Sequence, residues 1–330
     1  MPKRLLDRML HSRELVLFGV LCLMFTGFAL TTEYFLNLDA LLSQSRYWVA
    51  PGMLAVPMTF VIATAGIDLS VGSIVGMCGI VLGILYRDYH WPIAGAAAAA
   101  VLSGTAAGAL NGGVSSVLRI PPLVVTLATM TLFRGVAFGL SKADAISHFP
   151  SAISWLGNGA LFIFYFRGET VVVPATLLGL VLVGIAGVML LRYSWVGRYS
   201  LAVGENAVAA SFAAIPVRWL LFGIYTATGF VCGVASLFYT AVFATARADG
   251  GVGLELEAIA AVVIGGTRIS GGQASVTGTL LGLLIISILR YGLDLSGVKS
   301  QYVVIIVGVL LVVTAVFNEW MARRAGTKKQ

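Results

Sequence analysis

Charge is what this sequence has least of. Only 11% of its 330 residues are charged and 59% are hydrophobic, where soluble domains hold roughly 25% and 45–50%. So little charge cannot cover a water-facing surface, which excludes a pair of ordinary soluble domains. Histidine is almost missing too: His11, His90 and His148 all fall in terminal or loop segments, so no nucleophile, base and orienting residue can be assembled. There is no Gly-Lys pair, which removes the phosphate-binding loop and with it ATP hydrolysis by this chain. Cys22, Cys78 and Cys232 lie inside apolar runs without CxxC or Cys/His spacing. They read as small core residues, and no metal, disulfide or bound cofactor is expected. The formal charge of +7 is not gathered into a tract with interleaved aromatics, which argues against nucleic acid.

What the chain does have is apolar runs of spanning length. Taking runs of about 17–25 residues as helices, spans are expected near 15–31, 47–65, 70–86, 92–118, 122–141, 171–191, 217–242, 258–270, 276–293 and 302–318. The fold class is therefore an all-α, polytopic transmembrane helical bundle of about ten spans, one domain over 1–330. The run from Val252 to Gly266 is too short to cross and ends in glycines, the mark of a broken helix buried in protein. Broken or re-entrant helices are expected near 66–73 and 264–275. Because the first run is long and further spans follow it, it reads as a retained helix and not a cleaved leader.

An even number of spans puts both ends on one side. The basic ends, 1–14 with Lys3, Arg4, Arg8 and Arg13 and 319–330 with Arg323, Arg324, Lys328 and Lys329, make that side cytoplasmic by the positive-inside bias. Arg119, Arg192, Arg198 and Arg218 then fall there as well. Bases in the opposite loops have nearby acids: Arg87 with Asp88, Lys142 with Asp144, Arg167 with Glu169, Arg247 with Asp249. The long outer segment from Ser141 to Thr170 carries Trp155, Phe162, Phe164, Tyr165 and Phe166, which suits an interfacial anchor or a surface receiving a partner.

Few residues stand out chemically. Asp68 lies between two spans, where it either caps the second helix or serves as a gate. Arg134 lies several residues inside its span, as a snorkelling or paired base or as a contact for substrate hydroxyls. Glu255 and Glu257 are first-turn acids of the short helix that follows. Gly66, Ser70 and Gly72 recur as Gly266, Ser270 and Gly272, a hint of a parallel repeat. The loop 195–216 is the longest on the cytoplasmic side. From Glu205 to Ala214 it is Ala-rich, bounded by Gly204 and Pro216, and predicts a short helix across that face, either a connector or a docking surface.

Four ordered segments carry a resemblance over nearly the whole chain: Ala65-Gly-Ile-Asp-Leu-Ser-Val-Gly-Ser73, Leu123-Val-Val-Thr-Leu-Ala-Thr-Met-Thr131 after Pro121-Pro122, Gly204-Glu-Asn-Ala-Val-Ala-Ala210, and Ala258-Ile-Ala-Ala-Val-Val-Ile-Gly-Gly266 with Ser270-Gly-Gly272. The sequence resembles the permease subunits of bacterial sugar-type ABC importers, the ribose, rhamnose and autoinducer-2 group. Leu123 stands where relatives more often have Phe, which touches local packing more than role. The resemblance implies an inner-membrane permease beside a second permease, identical or related. It also implies a cytoplasmic ATPase that binds ATP and Mg, and a periplasmic sugar-binding protein. Gly204, Glu205, Asn206, Ala209 and Ala210 would form the coupling helix that meets the ATPase. Asp68, Ser70, Gly72, Arg134, Gly265 and Gly266 would belong to the pathway or gate. The stretch Thr245-Ala-Arg-Ala-Asp249 looks most like the autoinducer-2 and rhamnose branches. Two rivals remain: an ion-coupled secondary transporter, which needs several intramembrane acids, and an intramembrane enzyme, which needs a polar triad.

Overall fold

The computed structural model describes residues 13–166 and 168–327, so Arg167, His11 and most of the basic ends lie outside the described residues. Helices occupy α1 (Arg13–Thr31), α2 (Leu38–Gln44), α3 (Arg46–Ala63), α4 (Val71–Arg87), α5 (Ile93–Val117), α6 (Pro122–Ser141) and α7 (Ser151–Asn158). They continue as α8 (Thr176–Tyr193), α9 (Trp195–Glu205), α10 (Ala207–Phe212), α11 (Val217–Phe243), α12 (Leu254–Ile264), α13 (Val276–Leu295) and α14 (Ser300–Thr327). Between α7 and α8 a hairpin of β1 (Ala160–Phe166) and β2 (Glu169–Pro174) pairs antiparallel. It replaces the start of the span expected at 171–191, and it leaves apolar residues of both strand faces exposed, Phe162, Ile163 and Tyr165 among them.

Each expected span carries a helix, but the count is lower than ten by length. Among the described residues seven helices are long and apolar enough to cross a membrane: α1, α3, α5, α6, α8, α11 and α13. At 17 residues α4 falls just short, and α12 has 11, roughly 16 Å of helix against a hydrocarbon layer of about 30 Å. The shortness of α12 agrees with the run from Val252 to Gly266, already too short to cross in sequence, and α14 carries only a shorter apolar stretch, Gln301–Thr314.

The core is built around α3, buried from Val49 to Ala63 despite Pro51 and Pro57 inside it. Each proline removes one backbone bond, a loss that neighbours must absorb where no water is present. Helices α11, α12 and α13 surround it, and the Thr59 and Thr279 hydroxyls meet at 2.8 Å in the interior, tying α3 to α13. Helices α5 and α11 pack backbone to backbone. Gly104, Gly108 and Gly112 form a stripe whose missing side chains let the Gly229 and Phe222 backbone approach. One end of the bundle carries the β1–β2 hairpin; the opposite end carries α9 and α10.

Candidate functional site

Three segments meet at the α9–α10 end. Helix α3 ends with the Gly66 amide donating to the Val61 carbonyl across left-handed Ala65, and α12 ends with the Thr267 amide donating to the Val262 carbonyl across left-handed Gly266. Both are the same six-residue closure. The Gly66/Ser70/Gly72 and Gly266/Ser270/Gly272 match in sequence is not the match in structure: Ala65, not Gly66, is the counterpart of Gly266, and the spacing from there to the next helix differs between the two breaks. Ser70 and Ser275 then stand at the N-caps of the next helices, α4 and α13. The segment after α12 crosses to the first break, where the Gly272 amide donates to the Ala63 carbonyl at 3.0 Å. Gly204 is wedged against this bond: a Cβ there would overlap both the Ala63 carbonyl and the Gly272 amide. Glu14 of α1 braces the same end, accepting from Ser275 Oγ at 2.7 Å and from Thr277.

The helix expected from Glu205 to Ala214 is two pieces. Gly204 and Glu205 end α9; Asn206 adopts an extended backbone, accepts from the Val208 and Ala209 amides at 3.0 and 2.9 Å, and starts the six-residue α10. An Asn side chain that satisfies two orphan amides outcompetes helix continuation, which is why the Ala-rich composition misled. Glu205, Asn206 and Ala209 are exposed, whereas Ala210 is buried. Sequence reasoning missed Val208 and Phe212, four apart, at 66% and 87% exposure. The signal was available as an apolar i, i+4 pair inside an otherwise small-residue loop.

Asp68 is buried in the first break. It does not cap α4: Ser70 holds that position, and Asp68 Oδ1 accepts from the Ser70 amide at 2.9 Å and from Ser70 Oγ at 2.6 Å. Asn111 of α5 donates to Ser70 Oγ at 2.8 Å, and Ser73 donates to the Ser70 carbonyl at 2.7 Å. Thr126 of α6 donates to the Ile67 carbonyl at 3.1 Å. The break is thus pinned to three helices. Gly72 lies further along α4, facing Glu255 and the Gly251 carbonyl, and Gly265 packs its backbone on Gly278 of α13.

Between α11 and α12 the chain runs without helix from 244 to 253, lying along α4. Gly72 and Gly76 make this possible, a Cβ on Gly76 sitting 2.6 Å from the Gly250 carbonyl, while Gly83 makes room for Ile146, where a Cβ would sit 2.9 Å away. Ile146 and Ala246 exchange backbone bonds at 2.9 and 2.8 Å. Arg134 of α6 supplies what a helix would have supplied: its Nη1 donates to the Ala248 and Gly250 carbonyls, both at 2.6 Å. The half-buried charge therefore serves the backbone, pairing within the bundle as one of its two readings held. Glu255 and Glu257 lie in the first turn of α12; Glu255 folds back to accept from the Gly253 amide at 3.1 Å.

Non-helical backbone deep in an apolar bundle is tolerated only inside protein or along a cavity, and interrupted helices of this kind are characteristic of membrane transporters. The residues from 40 to 315 match the family described as branched-chain amino acid transport system / permease component. This chain belongs to that family, and it is a multi-pass membrane permease. It is 31% identical to the autoinducer 2 import system permease protein LsrD of Escherichia coli O9:H4 (strain HS) over 334 residues, covering 96% of this chain and 98% of that one. The protein of that name from Shigella flexneri matches to the same extent, and the one from Salmonella paratyphi B is 31% identical over 330 residues, 95% of this chain and 96% of that one. No solved structure matches. Membership of this family agrees with the ABC-importer resemblance carried by the four motifs.

Proposed function

We propose that the chain is the non-catalytic transmembrane subunit of an ATP-binding-cassette importer, moving a small sugar of the autoinducer-2, rhamnose or ribose kind across the bacterial inner membrane. A separate ATPase subunit, which binds ATP and Mg, drives alternating access. The observation that carries this reading is the junction at Gly204: an exposed surface on α9–α10 is backed directly onto both helix breaks. A push on that surface has no soft layer to dissipate in. The loop 195–216 is then the coupling loop, with Glu205, Asn206 and Ala209 facing the ATPase and Phe212 as its apolar anchor. Both termini are cytoplasmic, the hairpin end faces a periplasmic sugar-binding protein, and a second permease, identical or a paralogue, completes the pathway.

Ion coupling is the rival, and it draws only on Asp68. Among the described residues Asp68 is the only acid buried as a whole; Glu255 is bonded to the Gly253 amide and Glu257 is paired with Arg290, which leaves too few acids for a relay.

Two substitutions test the proposal. Glu205→Arg reverses a charge on the exposed face and Phe212→Asp removes its anchor; each should leave the permease in the membrane while abolishing co-purification of the ATPase and ATP-driven uptake. Normal co-purification and uptake in both would sink the assignment of this face. Asp68→Leu should reduce uptake more than protein level, since it frees Ser70 and loosens the break, with Asp68→Asn milder because one acceptor survives. Equal uptake at equal protein level would show that Asp68 is not part of the gate.

A further inference from the structure

The hairpin end holds a cavity of about 220 Å³ that the junction does not use. It opens where the first turns of α3 and α12 face the last turns of α11 and α13, and its lining includes Arg46, Tyr47, Tyr239, Phe243, Glu257 and Arg290. One wall is polar. Arg290 Nη1 donates to Glu257 Oε1 at 2.7 Å, and Arg46 Nη1 donates to Asn158 Oδ1 at 3.2 Å. The Nε groups of both arginines are buried without a protein acceptor. The other wall is aromatic: Tyr239 and Phe243 have ring centroids 4.7 Å apart, Tyr47 and Phe243 5.9 Å, and Tyr47 and Phe243 are about half exposed.

Two buried N–H donors without acceptors are costly, so the cavity suits an occupant that brings oxygen atoms. A lipid chain brings none. A phosphate or carboxylate would satisfy the arginines but would meet the Glu257 carboxylate. A hydroxyl group fits both, because it accepts from an arginine and donates to a carboxylate. A ring with hydroxyls along its edge and C–H bonds on its face also matches a polar wall opposite flat aromatic surfaces. The volume lies below the ~300–1,000 Å³ of sites for drug-sized ligands, which favours a molecule of about five or six carbons.

We propose that this cavity is a binding subsite for a neutral monosaccharide-sized polyol, its hydroxyls held by Arg46, Arg290 and Glu257 and its ring face on Tyr47, Tyr239 and Phe243. The inference rests on the importer reading and adds to it a place where sugar pauses on this chain.

Saturation-transfer NMR on the full chain in nanodiscs tests it, with D-ribose and L-rhamnose as probes and inorganic phosphate as competitor. The wild type should transfer saturation to the ring C–H protons of at least one sugar, undiminished by phosphate. Glu257→Gln, which removes the carboxylate charge but keeps one acceptor oxygen, should weaken the signal about fivefold, as exchanging a charge-assisted hydrogen bond for a neutral one does. Val252→Trp keeps every polar group but fills the mouth from a rim position that is 70% exposed, and it should abolish the signal. The subsite is overturned by no transfer in the wild type, by unchanged transfer in both variants, or by displacement with phosphate. Uptake by the assembled transporter separates the two claims. Normal uptake in both variants overturns the subsite and leaves the importer standing; sugar binding by the wild type with no ATP-driven uptake overturns the importer and leaves the subsite.

Discussion

Gly204→Val should lower the thermal midpoint of the purified permease sharply and abolish uptake, the largest effect expected of any change on the α9–α10 surface. The neighbours of that missing side chain are the Ala63 carbonyl and the Gly272 amide, both backbone and already bonded to each other. A flexible side chain could step aside; a backbone bond can do so only by breaking. Overpacking costs about 1–3 kcal/mol and occasionally more, and here the strain falls on the contact between α9 and the two helix breaks. Gly113→Ala is the control. Nothing lies within 4 Å of its Cβ, so the change should be neutral or stabilising by about 1 kcal/mol through helix propensity. Equal midpoints for Gly204→Val and wild type would remove the junction from the account.

Arg134→Met should cost roughly 3–6 kcal/mol, because two charge-assisted bonds of about 1.5–3 kcal/mol each are lost and no water replaces them deep in the bundle. The discriminating measurement is local. Amide hydrogen exchange over 244–253 should rise in Arg134→Met while exchange in α3 stays slow, and Arg134→Lys, still a donor but with a shorter reach, should lie between. If Arg134 acted only on substrate, exchange in that segment would not change. The dependence is mutual: Gly72 and Gly76 leave room for the segment to approach α4, and Arg134 and Ile146 satisfy part of its backbone there.

Much of this was legible in the sequence, for reasons that particular residues make plain. Apolar runs located every long helix, since bilayer thickness imposes length directly. The breaks near 66–73 and 264–275 were legible because glycine and serine interrupt otherwise continuous apolar stretches. The partners of Arg134 were not: Ala248 and Gly250 offer carbonyls, and every residue has one, so no side-chain pattern marks them. Cap and gate could not be separated for Asp68 in sequence, because spacing alone cannot tell an acid two residues before a helix from the cap itself; in the structure Ser70 occupies the N-cap position and Asp68 accepts from it. The split of α9 from α10 hung on Asn206, whose preference for capping two amides outweighs the helical bias of the alanines around it. The pairing of Tyr47, Glu257 and Arg290 in one cavity joins residues far apart in sequence, and only packing brings them together.

The central claim is that this permease is moved by ATP hydrolysis delivered at the α9–α10 end. Proteoliposomes containing the chain with its partner permease and ATPase, supplied with the sugar-loaded binding protein, test it most directly. The account predicts sugar accumulation when ATP is present on the ATPase side without any ion gradient, and none when a proton or sodium gradient is imposed without ATP. Accumulation driven by the gradient alone would contradict it.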